Sequence, residues 1–371
     1  MPRESTKGQR ADSGGRRARI RGVPRATIED VAREAEVAPS TVSLAFNEPE
    51  RVRPDTRERV LAAARKLRYR PSAIARRLVT RRADMLAVVV PDTRNPFFGK
   101  VFQGIDTEAR RAGLDVMLFT TENDPGLERQ RLEAAVRNRA DGIILVGEHR
   151  QGPDPAAELL AEMVATGVQV VLVERQVERL PSVWGRKREG CRKAVEHLIG
   201  LGHRKIAFVG GLLAQGGSYQ RLAGYREAME AHGLQVRPEW VAEGGFHPAG
   251  GREATARLLA LDPGLTAFVA ANDLMALGVL RALREAGRRV PEDASVVGFD
   301  DIPEAAFVVP SLTTVDMPME RLGRRAMELM VRGLEGEVLD GVDEGLPTEL
   351  RVRESTGPAP GDTVAGAMGG Q

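Results

Sequence analysis

The chain has 371 residues, 42% of them hydrophobic and 4% aromatic, with one cysteine and a formal net charge of +2. That length can bury two or three cores; the lone thiol excludes an internal disulfide and suits a reducing compartment, and no run approaches the ~20 apolar residues that span a bilayer. The charge is uneven: residues 1–82 carry 21 Lys and Arg against 10 Asp and Glu, and the remainder 33 against 42, a basic head on an acidic body that fits a nucleic-acid partner.

Residues 1–22 are rich in Arg, Gly and Ser and are predicted to be disordered. They lack the apolar core of a signal peptide, so a cytoplasmic location is expected. A compact helical unit follows over 23–70. Its segment Ala26 to Asn47 reads as two short helices joined by a tight turn, the layout of a DNA-reading helix-turn-helix. Ile28, Val31, Ala32, Ala35, Val37, Val42, Ala45 and Phe46 would share one small core. Thr27 suits the cap of the first helix, Pro39 the first turn of the second, and Asn47 its end. A third helix is predicted from about Pro54 to Tyr69, with Val60, Leu61, Ala64 and Leu67 on one face. Residues 71–84 form a linker whose two possible helical turns are marginal on their own.

From Met85 the pattern changes. Apolar runs at 86–90, 115–119, 142–146, 169–173, 205–211, 266–272 and 295–300 read as buried parallel strands, with amphipathic helices between them. Alternating strands and helices predict doubly wound α/β architecture, and so many units predict two lobes. The first lobe is assigned 85–184 and 317–345, the second 185–316 and 346–356. Residues 357–371 read as a loose tail.

Enzyme chemistry finds no support. There is no Walker loop, dinucleotide fingerprint, H-E-x-x-H or G-x-S-x-G, and neither a metal nor a cofactor is implied. Cys191 and His197 lie six residues apart on one predicted helix, do not face each other, and read as structural. Three loops at strand carboxyl ends carry convergent polar and aromatic groups: Asp92 to Phe98, Asn272-Asp273 and Asp300-Asp301. Such groups suit a polyhydroxylated small molecule; each Asp or Asn could equally cap the helix that follows it.

Together the segments TIEDVAREAEVAPSTVSLAFN, VRPDTRERVLAAARKLRYRPSAIARRL, PDTRNPFF, HLIGLGHRKIAFVGG, ANDLMALGVLRAL, VVGFDDI and PSLTTVDMP resemble the LacI family of bacterial transcription regulators, over about Ala26 to Arg353. The later part is most similar to sugar-responsive members. The resemblance implies an N-terminal helix-turn-helix, a hinge helix, and a two-lobed effector domain like a periplasmic sugar-binding protein. It also implies a homodimer on a near-palindromic operator in double-stranded DNA. Matched position by position, Pro39, Ser40 and Leu44 fall where the family meets base edges, and Thr27, Thr41, Ser43, Asn47 and Thr56 where it contacts phosphates. Ala75 and Leu78 fall where its hinge helix wedges into the minor groove. Asn95, Phe97, Phe98, Arg221, Phe246, Asn272 and Asp300 fall in its effector cleft.

The chain departs from the pattern at several places. Glu36 stands in the turn where Gly or Asn is usual, Ala38 replaces the common Ser or Thr cap, and Leu44 stands where many members have Arg or His. Gly185-Arg186 replaces a common Asp-Asn, and Arg186 to Arg188 is unusually basic, which admits a sugar phosphate as effector. The expectation is a DNA-binding repressor of carbohydrate uptake or catabolism genes, gated by a sugar or sugar phosphate. The alternatives are a purine- or nucleoside-responsive regulator on the same scaffold, a sugar receptor without regulatory coupling, and, less favoured, an enzyme.

Overall fold

The computed structural model describes residues 26–69, 83–147, 154–213 and 216–361. The chain divides into two compact units, residues 1–81 and 82–371.

The first unit contains α1 (Ile28–Glu34), α2 (Pro39–Asn47), a 3-10 turn (Pro49–Arg51) and α3 (Pro54–Lys66). Thr27 and Asp30 close a capping box on α1: the Asp30 amide donates to Thr27 Oγ1 at 3.3 Å and the Thr27 amide to Asp30 Oδ2 at 2.9 Å. α2 begins at Pro39, and Ala38 supplies no side-chain cap. Glu36 turns the chain between them in the left-handed region, at φ 53°, a conformation that strains a residue with a Cβ. Val31, Val42 and Val60 are fully buried where the three helices meet. α3 stops three residues short of Tyr69. Arg68 takes a left-handed φ of 52°, the Tyr69 amide donates back to the Ala64 carbonyl, and the Tyr69 ring turns to pack on Phe46 with centroids 6.0 Å apart. Such a left-handed ending satisfies carbonyls that a longer helix would have paired. Ala75 and Leu78 lie outside the described residues.

The second unit holds twelve strands among its described residues. They are β1 (Met85–Val90), β2 (Asp115–Thr120), β3 (Gly142–Val146), β4 (Gln169–Val173), β5 (Ser182–Gly185) and β6 (Ile206–Gly210). Then come β7 (Val241–Glu243), β8 (Ala267–Ala270), β9 (Ser295–Asp300), β10 (Thr313–Asp316), β11 (Asp343–Leu346) and β12 (Glu349–Arg351). One sheet runs β11-β5-β4-β3-β1-β2 and is parallel throughout. The other runs β12-β10-β9-β8-β6-β7, with only β12 antiparallel. The helices are α4 (Pro96–Arg111), α5 (Pro125–Arg137), α6 (Ala157–Ala165), α7 (Lys187–Gly200), α8 (Gly216–Ala231), α9 (Pro248–Leu261), α10 (Asp273–Glu285) and α11 (Met319–Leu334). The chain passes between the sheets three times: from β5 into α7, from β10 into α11, and from β11 to β12.

Four features differ from the sequence reading. Residues 115–119, expected to be buried, form an edge strand whose Leu118 is 41% exposed. Strands β5, β7, β10, β11 and β12 are not legible as apolar runs; segments such as DEGL and ELR are strands because of the neighbour they pair with. The expected loose tail is held at its start: the Ala359 amide donates to the Leu201 carbonyl at 2.8 Å, and the Gly357 amide to Ser295 Oγ at 3.0 Å. Residues 362–371 lie outside the described residues. Helices α4, α5 and α9 start earlier than their apolar periodicity implies. Pro96, Pro125 and Pro248 occupy their first positions, capped by Asn95, Asp124 and His247.

Candidate functional site

In the first unit, α2 is amphipathic on a small scale. Val42 and Ala45 turn into the core, while Pro39 and Ser40 are exposed and Thr41, Ser43 and Leu44 half-buried. Helical spacing puts Ser40, Ser43, Leu44 and Asn47 on the outer face, and Asn47 Nδ2 donates to Ser43 Oγ at 3.3 Å. Thr27, exposed, and Thr56, half-buried, mark the starts of α1 and α3. Helix starts keep N–H groups without an intrahelical partner, a setting that attracts anions.

In the second unit, a cleft of about 640 Å³ opens at the carboxyl ends of the strands of both sheets, where open α/β sheets place their ligands. All seven cleft residues named from the sequence line it: Asn95, Phe97, Phe98, Arg221, Phe246, Asn272 and Asp300. Phe97 and Phe98 meet edge to face, with centroids 5.2 Å apart and planes at 87°. Gly211 clears room for Phe246, since a Cβ there would run into the ring.

Capping and lining turn out to be the same act. Asn95 Oδ1 accepts from the Phe97 amide at 3.0 Å, and Asn272 Oδ1 from the Met275 amide at 2.8 Å. Asn272 Nδ2 also donates to the Phe246 carbonyl at 3.2 Å, joining two parts of the wall. Arg221 Nη2 stands 3.5 Å from Asp300 Oδ1, and its guanidinium lies 4.4 Å from the centroid of the Phe299 ring. Asp300 reaches the cleft from a backbone φ of 115°. The neighbouring Asp301 pairs with Arg353 at 2.7 Å and is not in the cleft lining.

Several lining residues were not found from the sequence. Arg175, 4% exposed, bonds both Glu128 and Asp154, with Nη1 to Glu128 Oε2 at 2.9 Å and Nε to Asp154 Oδ2 at 2.5 Å. Burial disfavours its charge, but the two carboxylates outweigh that and hold it firmly ionised. Lys187 and Glu174 form an ion pair, 4% and 2% exposed in their side chains, and Glu174 Oε1 also accepts from the Gly185 amide at 2.9 Å. Of the basic run Arg186 to Arg188, only Lys187 lines the cleft. Arg186 donates to the Gly345 carbonyl, and Arg188 pairs with Glu227. At the rim, burial opposes ionisation of Asp92, yet hydrogen bonds from Arg94 hold its carboxyl below the usual range. The signal for Glu174 and Lys187 was a charged residue directly after an apolar strand and another directly after a crossover; composition alone does not separate these from surface charge.

Cys191 is fully buried, and burial pushes its thiol up to about 12, so it is inert at neutral pH. Among the described residues no group of three or more His, Cys, Asp or Glu could hold a metal, and no helix is long and apolar enough to cross a membrane.

Residues 27–72 match the model of bacterial regulatory proteins of the lacI family, and residues 195–356 match a periplasmic binding protein-like domain. The chain is 38% identical over 341 residues to the transcriptional regulator CelR of Thermobifida fusca, covering 89% of this chain and 98% of that one. It is 35% identical over 328 residues to the transcriptional repressor PurR of Haemophilus influenzae (strain PittEE), covering 88% and 95%. Among solved structures it is similar to the lac repressor dimer bound to operator and an anti-inducer, with TM-score 0.81 at 28% identity over 90% of this chain and 100% of that one. It is also similar to a CelR–cellobiose complex, with TM-score 0.68 at 34% identity over 89% and 100%.

Proposed function

The chain belongs to the lacI family of bacterial regulatory proteins, and on that premise we propose a homodimeric repressor whose affinity for a near-palindromic operator is set by a neutral sugar in the cleft. Pro39, Ser40 and Leu44 read base edges in this scheme. Thr27, Thr41, Ser43, Asn47 and Thr56 hold phosphates, and Ala75 and Leu78 enter the minor groove.

One observation carries the choice of a neutral ligand. Four cationic heads line the cleft, Arg94, Arg175, Lys187 and Arg221, and so do four carboxylates, Asp92, Glu128, Glu174 and Asp300. Each cation faces one of those carboxylates. At the three buried cations, Arg175, Lys187 and Arg221, a phosphate would compete with a carboxylate already seated, and leaving a buried charge without its partner costs about 3–5 kcal/mol. A sugar hydroxyl donates to a carboxylate and accepts from a guanidinium without separating the two. The Phe97, Phe98 and Phe246 rings cover the apolar face of a pyranose or furanose. The paired Phe97 and Phe98 rings would cover a purine base as well, so a nucleobase is the competing ligand.

The test is a thermal-shift series on the full chain with cellobiose, ribose, ribose 5-phosphate and purine bases. A ligand that binds only the folded state stabilises it by about 2.7 kcal/mol at a hundred times its Kd. A neutral sugar should raise Tm and alter operator retardation on a gel. A rise with the phosphate or the purines alone would overturn the reading.

A further inference from the structure

We propose that Asp273 is a proton-operated positioning residue for the effector cleft: its protonated carboxyl holds in place the loop that presents Asp300, and its ionisation releases that loop. The inference rests on reading the cleft as the effector site and concerns how that site is regulated.

Asp273 is the first residue of α10 and is fully buried. It lies outside the cleft lining, but both of its connections lead there. Along the chain it adjoins Asn272. Across the fold, its Oδ2 accepts from the Ile302 amide at 2.8 Å, and its Oδ1 lies 2.5 Å from the Thr314 hydroxyl on β10. Ile302 follows Asp300 and Asp301, both at positive φ, 115° and 58°. Two successive non-glycine residues in that region persist only when their surroundings enforce it, and the Ile302 bond is the clamp on the far side of the turn. Gly298 on β9 makes the space, since a Cβ there would collide with Asp273 Oδ1.

The charged groups facing this carboxyl are few. Burial is the main influence and raises its affinity for a proton; Asp301 acts in the same direction. The Thr314 and Ile302 hydrogen bonds and the Arg353 guanidinium oppose it, and the balance is a group titrating near pH 7. The Thr314 hydroxyl donates to Oδ1 and the Ile302 amide to Oδ2; a carboxyl protonated at Oδ1 still accepts the Ile302 amide at Oδ2.

Linkage then sets the direction. An opened loop hydrates Asp273 and returns it toward the ordinary carboxyl value of about 3.9. Opening therefore releases a proton, and between about pH 4 and 7 the opening constant rises up to tenfold per pH unit. Any ligand that uses Asp300 selects the closed loop, so its binding takes up a proton in those molecules whose loop was open and ionised.

The experiment is hydrogen exchange of the full chain from pH 5 to 8, read on the peptide covering residues 299–306. Intrinsic exchange alone rises about tenfold per pH unit; coupled opening makes this about a hundredfold below pH 7 and tenfold above. Asp273→Asn, an uncharged isostere, should show the tenfold slope throughout and stronger protection at pH 7. Thr314→Val, which removes a bond that favours the anion, should move the break to higher pH. A tenfold slope in the unaltered protein, or a break that survives in Asp273→Asn, overturns the proposal. Should Asp273→Asn fail to fold, the Thr314→Val shift still decides it. Failure of the effector reading is distinguishable: no ligand would raise Tm, and the exchange slope would be unaffected.

Discussion

The Arg221 guanidinium and the Asp300 carboxylate stand 3.5 Å apart, with each side chain only 4% exposed. Both come from the second lobe, so the pair exists in that wall whatever the first lobe does. A buried pair of this kind is poised to serve a ligand, because its charges are already desolvated and oriented. Asp300→Asn keeps the shape and removes the charge. It should abolish the ligand-induced Tm rise and leave operator retardation intact, and calorimetry showing parental ligand affinity in this variant would reject the assignment.

The Glu174–Lys187 pair bridges the end of β4 and the start of α7. Glu174→Gln should cost about 3–5 kcal/mol by leaving the lysine charge unpaired, and Lys187→Met a similar amount. The double variant should cost clearly less than the sum of the two. Urea unfolding of all four proteins closes that cycle. Glu174→Gln also removes one negative charge from the cleft wall and frees the lysine charge, so ribose 5-phosphate should become a better ligand for it than for the parent.

Two glycines allow α4 and α11 to touch backbone to backbone. A Cβ at Gly104 would meet the Glu320 carbonyl, and one at Gly323 the Val101 carbonyl. The obstructing atoms are backbone, so they cannot turn aside. Gly104→Ala and Gly323→Ala should each lower stability by about 2–3 kcal/mol, the upper range for overpacking. A melt of Gly104→Ala within 2 °C of the parent would contradict this.

His197 Nε2 lies 3.0 Å from Thr356 Oγ1, tying α7 to the C-terminal segment. Burial lowers its pKa below the ordinary imidazole value of about 6.5. The unfolded chain therefore binds the proton more readily than the folded one. The contribution is fully present above about pH 6.5 and is lost as pH falls from there through the lower folded value. His197→Gln should show a smaller loss of urea midpoint than the parent between pH 7.5 and 5.5. Parallel curves for the two proteins would mean the imidazole is not responsible.

DNA binding should be strongly salt-dependent, because each neutralised phosphate releases counterions with a slope of about −0.9 in log K against log salt. Thr41→Ala should weaken binding to all sequences alike, by about 1.5–3 kcal/mol for a hydrogen bond to a charged group. Leu44→Ala should instead narrow the gap between promoter and random DNA, since an apolar contact to a base edge carries sequence information. Competition gel shifts with both variants separate the two roles; an unaltered preference in Leu44→Ala would remove it from the base-reading set.

The sequence by itself determined the elements that need no distant neighbour. Thr27 and Asp30 cap α1 through a local bond, Pro39 starts α2, and runs such as LAVVV and GIILV are apolar enough to be buried strands in any arrangement. It also pointed to Asn95, Asn272 and Asp300 through their positions at strand ends, and to Arg221 through the matching family pattern alone. The tertiary structure alone decided which charges face each other. Glu174 meets Lys187 across a crossover, Arg175 gathers Glu128 and Asp154 from 47 and 21 residues away, and Asp273 turns from the cleft to clamp Ile302. These pairings are non-local, and a carboxylate in sequence looks the same whether water or an arginine will be its neighbour. Short strands such as β11 and β12 were hidden for the same reason: their conformation comes from the strand beside them, and β11 meets β5 only after the second passage between the lobes and β12 meets β10 only after the third.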